Sequence, residues 1–388
     1  MARKKGQGSI SKRLDGSYMG RISKNGNTKY FYGKTESEVQ LAIDDYKMKI
    51  ASGNFCFITL SAYMHNFLVV YKMPAVKPST YDTHEKIWRL YIDGSELGKT
   101  SMCDLTTDSI QLYLNALPAT GLSYSQCKKI QELISMTLKH AFFNRDITSD
   151  IASMVSLPRR DKFPDAKVVQ AYTQEEYIAV KKVCDTKYYD SGLKSNLFSW
   201  RYAPLIIFLF NTGLRCGELL ALRWENIDLD AKVIHVCENA VRVKSRSVDG
   251  AVIGSGVVVS SPKTKKSIRD VPLNDVALSA LLETKKRYQD CGCLCEYVAC
   301  NMDGGMLNLR SFERMVEKTC QCANVPYKGV HAIRHTFTSF SINAGIPPQV
   351  VSDLLGHSSV VFTLNRYNHN NEDSLRHAVD LLQHATQI

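Results

Sequence analysis

The apolar periodicity of this chain changes character along its length, which rules out one uniform architecture. Between Ser9 and Tyr32, short alternating segments are broken at Asp15-Gly16 and Asn25-Gly26, dipeptides that tolerate the positive φ of tight hairpins. That spacing predicts a three-stranded antiparallel sheet. Thr35-x-x-Glu38 then has the form of a capping box, opening a helix with Val39, Ala42, Ile43, Tyr46 and Ile50 on one face. After a linker at 55–57 the period becomes helical over 60–71, 79–92, 107–117 and 123–144, with Ser79, Thr107 and Ser123 as N-caps. A charged, proline-punctuated stretch at 157–167 reads as a second linker. Beyond it, helices alternate with a β-rich patch at 233–271, expected to be a small antiparallel sheet containing a long hairpin. With 388 residues the chain is too long for one ordinary core. The expected fold is multidomain α+β. Residues 1–54 form a three-stranded sheet plus helix, 57–158 a helical bundle, and 165–388 a mixed, mainly α domain with a small antiparallel sheet.

Charge narrows the partner. The net charge is +11, and residues 1–34 hold nine Lys/Arg against the single acid Asp15. Such a balance favours a polyanion. On the predicted strands, Arg13, Tyr18, Arg21, Lys24, Lys29 and Tyr30 mix basic and aromatic side chains. A sheet of that kind can lie in a major groove, or it can simply present a charged outer face. The apolar run at 202–210 is far short of a bilayer span, and no signal-peptide pattern is seen, so a cytoplasmic protein without a membrane partner is expected. Twelve cysteines then read as reduced thiols. The cluster of Cys291, Cys293, Cys295, Cys300, Cys320 and Cys322 has C-x-C spacings, not the C-x-x-C of structural zinc sites, and Cys320 and Cys322 should leave a helix on different faces. No metal and no cofactor are expected, since neither a Walker loop nor a carboxylate cluster for paired magnesium ions is found.

The chemistry-bearing residues lie in the last domain. They are Arg215 in T-G-L-R-C-G-E-L, Lys263 in S-P-K-T-K-K, His331 and Arg334 in H-A-I-R-H-T, His357 in L-L-G-H-S-S, and Tyr367 in L-N-R-Y-N-H. Two arginines can each hold non-bridging phosphate oxygens bidentately. Lysine and histidine move protons, and a tyrosine oxygen can form a covalent phosphoryl-enzyme. Together they could clamp and attack one phosphodiester without a metal. Arg215 follows Gly213, which should end an apolar helix, and Glu218 lies three residues on, within reach to orient it. His331 and Arg334 are spaced i, i+3 on a helix that should run through Asn343 to a stop at Gly345. His357 follows the glycine that should close a helix at 348–355. Lys263, Lys265 and Lys266 compete for one role.

These segments resemble the tyrosine recombinase (phage integrase) family. The string T-G-L-R-x-G-E-L-x-x-L-R-W carries the likeness most specifically, joined by H-x-x-R, L-L-G-H-S-S and the tyrosine ten residues after His357. The G-S-I at Gly8 to Ile10 looks like the opening of an arm-type DNA-binding domain, as in conjugative-transposon integrases. K-P-S-T-Y from Lys77 and I-D-G-x-x-L-G-K from Ile92 fit the family's core-binding domain. The resemblance implies site-specific strand exchange for a mobile element. In it Tyr367 forms a 3′-phosphotyrosine, while Arg215, Arg334 and His357 stabilise the pentacoordinate phosphorus. Lys263, selected by the family's K-T pattern, protonates the leaving 5′ oxygen, His331 assists with the tyrosine proton, and Glu218 and His335 support the site. It further implies double-stranded DNA with core and arm sites, a homo-tetramer on two duplexes, an accessory directionality protein, and action at the bacterial nucleoid. A type IB topoisomerase or a non-catalytic DNA-binding regulator would share much of this pattern. The length at 245–256 looks like an insertion, and the apolar positions Leu375, Val379, Leu381 and Leu382 could dock on a neighbouring protomer or pack internally.

Overall fold

The computed structural model describes residues 9–24, 27–51, 58–165, 170–190, 200–260, 265–293, 296–301 and 303–356. The turn at Asn25-Gly26, the linker at 55–57, Lys263, Cys295, His357, Tyr367 and the tail lie outside them. The chain divides into two compact units, one of Met1–Lys167 with Lys244–Gly254, the other of Val168–Val243 with Ser255–Ile388.

The first unit opens with β1 (Ser9–Lys12), β2 (Tyr18–Lys24) and β3 (Asn27–Gly33), paired antiparallel in that order. Helix α1 (Glu36–Ala51) covers one face of this sheet. Its start is the expected reciprocal cap: Glu38 N–H donates to Thr35 Oγ1 (3.2 Å), and Thr35 N–H to Glu38 Oε2 (3.3 Å). Val39, Ile43 and Tyr46 are buried as the helical period requires, and the Tyr46 ring meets Phe31 edge-on at 5.2 Å.

The helical part of the same unit runs through α2 (Leu60–Phe67), α3 (Pro78–Ile87), α4 (Glu96–Lys99), α5 (Thr107–Ala116) and α6 (Tyr124–Phe143). Both α2 and α3 continue into one π-helical turn, Leu68–Lys72 and Trp88–Ile92, so the segments expected at 60–71 and 79–92 are present with wider ends. Two expected caps move. Helix α3 begins with Pro78 at its first turn and Lys77 as cap, because proline has no N–H there to satisfy; Ser79 is already inside. Helix α5 is capped by Thr106, not Thr107, through a 3.1 Å bond from Ser109 N–H. Ser123 caps α6 as expected, with Gln126 reaching back. Leu60, Met64, Leu68, Ile110, Leu114, Ile130 and Leu138 form the centre of this core, each residue of that kind contributing roughly 1.5–3 kcal/mol on burial.

Lys244–Gly254, the tip of the expected extension, groups with this first unit. Arg246 there is only 7% exposed, held 2.6 Å from Asp82 Oδ1 and stacked 5.0 Å over the Tyr81 ring.

The second unit is built around α8 (Pro204–Thr212), buried on nearly every side as expected of a helix apolar all round. Packed on it are α7 (Gln174–Asp190), α10 (Asp275–Asp290) and α12 (Val330–Asn343); α9 (Cys216–Ala221), α11 (Leu309–Cys322) and α13 (Pro348–Leu355) are further helices among the described residues. A sheet of β4 (Ile227–Asp228), β5 (Val233–Val236) and β8 (Arg269–Pro272) lies alongside, antiparallel throughout. The long hairpin is β6 (Asn239–Arg246) paired with β7 (Val252–Ser260). Cys320 is buried and Cys322 exposed, the divergence an i, i+2 helical pair must show.

The Ser123 cap generates a prediction. Ser123→Ala should lower the stability of the first unit by about 1 kcal/mol, read as an earlier urea transition in the far-ultraviolet circular dichroism. An unmoved midpoint would show that the reciprocal bonds do not hold the start of α6.

Candidate active site

The first basic residue is placed by two glycines. Helix α8 ends at Gly213, whose φ is +63°; a Cβ there would fall 2.5 Å from Phe337 and 2.7 Å from Leu355. Only glycine accepts both the left-handed turn and that close approach. Two residues later Arg215 becomes the N-cap of α9. Gly217 then lets α9 meet the start of β6, since a Cβ would lie 2.5 Å from the Ala240 carbonyl oxygen. The motif T-G-L-R-C-G-E-L is therefore a packing requirement as well as a chemical signature. Arg215 keeps 37% of its side chain exposed while its Nη1 lies 2.7 Å from Glu218 Oε1, and its own backbone N–H donates to Glu218 Oε2 at 2.8 Å.

Helix α12 supplies the next pair. Arg334 is buried, its Nη1 donating to the Gly213 carbonyl (2.9 Å) and its Nη2 to the Leu355 carbonyl (2.7 Å). One guanidinium thus ties the turn that precedes Arg215 to the end of α13 at Leu355, two residues before His357 in the sequence. The same Nη1 is 3.9 Å from Glu218 Oε2. His331, one helical turn away, is exposed, and its ring meets that of His335 edge-on at 4.6 Å. His335 is buried, in keeping with a supporting place.

Glu218 stands at the centre. It is 4% exposed and touches Arg215, Arg334 and one residue the sequence reading did not single out, Arg269 of β8. Arg269 Nη2 is 3.0 Å and Nη1 3.3 Å from the two carboxylate oxygens. Burial alone would raise the Glu218 carboxyl, but the hydrogen bond and charge of Arg269, with Arg215, outweigh it and hold the group below the usual carboxylate range. Arg269 lies in S-I-R-D-V-P, just downstream of the competing lysines, and that proximity was the available signal. Lys265 and Lys266 open the short turn Lys265–Ser267. Of the six expected catalytic residues, Arg215, His331 and Arg334 are described, and the two arginines meet at Glu218; Lys263, His357 and Tyr367 lie outside the described residues.

In the first unit the strand register sorts the expected DNA-contacting residues. Gly20 faces α1, where a Cβ would strike Val39 and Ile43, so Arg21 and its cross-strand partner Tyr30 face away. Both are exposed, beside Tyr32, over whose ring Arg13 lies at 5.5 Å. Tyr18 shares the parity of Gly20 and stands on the helix side. So does Lys29, which sits over the Tyr46 ring and pairs with Asp104. The side chain of Lys24 is not among those described.

Residues 173–374 match the model of the phage integrase family, and residues 59–117 that of the phage integrase N-terminal SAM-like domain. A tyrosine recombinase XerC-like protein of Caldanaerobacter subterraneus subsp. tengcongensis is 30% identical over 354 residues, 88% of each chain. The chain belongs to the phage integrase family. As a tyrosine recombinase it carries out site-specific DNA cleavage and rejoining. The integrase of ICEBs1 from Bacillus subtilis is a further relative, 26% identical over 305 residues that cover 76% of this chain and 74% of that one. Among solved structures, the Tn1549 transposon integrase in complex with transposon right end DNA shares the fold at a TM-score of 0.65 and 21% identity, covering 84% of this chain and all of that one. A lambda integrase tetramer bound to a Holliday junction matches at a TM-score of 0.52 and 15% identity, over 90% of this recombinase and 95% of that chain.

The depressed Glu218 carboxyl has a measurable sign. A folded pKa below the ordinary value means its stabilisation is complete above the unfolded range near ~4.3 and is lost as pH falls through the folded value. Glu218→Gln leaves two buried guanidinium groups beside a neutral amide and should cost the recombinase roughly 3–5 kcal/mol near neutral pH. The deficit should shrink in acid, where the native carboxyl is also neutral. Urea melts of both proteins near neutrality and in acid check this; an equal gap at both would contradict an ionised Glu218.

Proposed function

We propose that this recombinase is the integrase of a mobile element, with Tyr367 as the nucleophile. The tyrosine oxygen attacks the scissile phosphorus in line, the P–O5′ bond breaks, and the 3′ phosphate remains on the enzyme. Arg215 and Arg334 neutralise charge on the non-bridging oxygens together with His357. Lys263 delivers a proton to the departing 5′ oxygen, and His331 assists removal of the tyrosine proton. The phosphotyrosine conserves the bond energy, so a 5′-hydroxyl from a partner strand can reverse the step and exchange strands without ATP. Supporting this reading is the convergence of Arg215 and Arg334, from segments far apart in the chain, on the one buried carboxylate of Glu218.

The remaining assignments follow the same reading. Residues 57–158 act as the core-binding domain and 165–388 as the catalytic domain. The exposed strand face with Arg21 and Tyr30 is the arm-site reader within residues 1–54, helped by Arg13 at its edge. Strand exchange requires four protomers on two duplexes, and an accessory directionality protein sets the balance between integration and excision at the nucleoid. The likeness to the ICEBs1 integrase and to the Tn1549 transposon integrase in complex with transposon right end DNA supports the substrate class.

A nicked suicide duplex tests the chemistry. Wild type should accumulate covalent protein–DNA complex, Tyr367→Phe none, and Arg215→Ala should cleave roughly 10²–10³-fold more slowly. Full covalent yield from the Phe variant would exclude Tyr367 as nucleophile. Joined products between two labelled duplexes distinguish recombination from simple relaxation. For the arm face, Arg21→Ala should weaken binding to arm-site DNA and lower the salt slope by about one; an unchanged isotherm across salt concentrations would remove this face from the interface.

A further inference from the structure

Arg269 has geometry that exceeds a surface charge or a simple ion pair. Its side chain is 7% exposed, and its hydrogen bonds go to Glu218, Leu354 and Ser267, the frame of the site. Nη1 and Nη2 fork onto the two oxygens of Glu218. Nε donates to the Leu354 carbonyl at 2.6 Å, and Nη1 also donates to the Ser267 carbonyl at 3.2 Å. A Cβ added to Gly356 would lie 3.1 Å from Nη1, so the guanidinium sits directly against the residue that precedes His357 in the chain. Three elements meet at one side chain: the carboxylate that orients Arg215, a last-turn carbonyl of α13, and the turn Lys265–Ser267 that carries two of the competing lysines.

We propose that Arg269 is a positioning residue for DNA cleavage, acting through Glu218 on Arg215 and through the Leu354 carbonyl on the segment that continues into His357. The inference rests on the reading of Arg215 and His357 as phosphate ligands. With its nitrogens bonded to Glu218, Leu354 and Ser267, Arg269 acts through these partners and not as a phosphate ligand. Its planar fork matches a carboxylate bidentately and leaves Nε for a carbonyl in a second direction. Lysine keeps the charge but cannot make that set of directed bonds. Loss of the fork lets the Glu218 carboxylate rotate, and Arg215 then loses the partner that fixes its Nη1. A displacement near 1 Å at a reacting centre is worth roughly 10²-fold in rate.

The test uses full-length Arg269→Lys on nicked suicide duplexes with either a phosphodiester or a methylphosphonate at the scissile position. The methylphosphonate has no charged non-bridging oxygen, so the neutralising task that Arg215 performs is absent. Cleavage of the phosphodiester should fall roughly 10²-fold with DNA affinity unchanged, and the gap from wild type should narrow on the methylphosphonate. Phosphodiester cleavage at the wild-type rate would overturn the proposal, and so would an equal gap on both substrates, which is the mark of a merely structural role. If Arg269→Lys fails the thermal-melting check, Glu218→Asp replaces it, keeping the charge but withdrawing the carboxylate from both arginines, with the same two outcomes. Absence of any covalent complex from wild type would instead bring down the underlying assignment of the site.

Discussion

The carboxylate of Glu218 is the point on which the second unit depends. Three arginines approach it, from the N-cap of α9, from β8 and from α12, and two of them are buried with it. A buried cluster with that excess of positive charge is costly unless each guanidinium has other acceptors. The structure supplies them as main-chain carbonyls of Gly213, Leu355, Leu354 and Ser267. Those carbonyls belong to the turn before Arg215, the last turn of α13 and the end of the Lys265–Ser267 turn. Satisfying the arginines and fixing the turns are therefore one event. The result is a preorganised cluster of three arginines around one carboxylate, the kind of fixed charge that the proposed chemistry at phosphorus calls for.

The arrangement also assigns different work to residues that look equivalent in sequence. Arg215 retains an exposed guanidinium supported from behind by Glu218, and so is placed to meet an anion. Arg334 spends two nitrogens on carbonyls and holds two motif-bearing turns together. Arg269 is entirely a frame residue. The basic excess of the chain thus includes solvated side chains such as Arg21 on the strand face of the first unit and a carboxylate-organised cluster in the second.

Much of this was legible beforehand, for identifiable reasons. The reciprocal bonds between Thr35 and Glu38, the span of α12 from Val330 to Asn343, and α13 closing at Gly356 are local features, written in caps and glycines. Ser79 and Thr107 missed as caps because Pro78 and Thr106 compete at adjacent positions for the same role. Arg269 was passed over because its partner Glu218 lies 51 residues away, and no local pattern announces a long-range ion pair. Tyr18 and Lys29 were grouped with Arg21 and Tyr30 by composition, although strand parity separates them. The place of Lys244–Gly254 in the first unit depends on Arg246 finding Asp82, which period and propensity do not encode.

The central claim is that this carboxylate-centred cluster is built around one backbone phosphate of DNA. It is tested most directly by a crystal structure of the Tyr367→Phe protein on an intact core-site duplex. The account predicts one phosphate with non-bridging oxygens about 3 Å from both the Arg215 and Arg334 guanidinium groups, with the residue 367 ring facing its phosphorus. A duplex bound with every phosphate distant from Arg215 would contradict it.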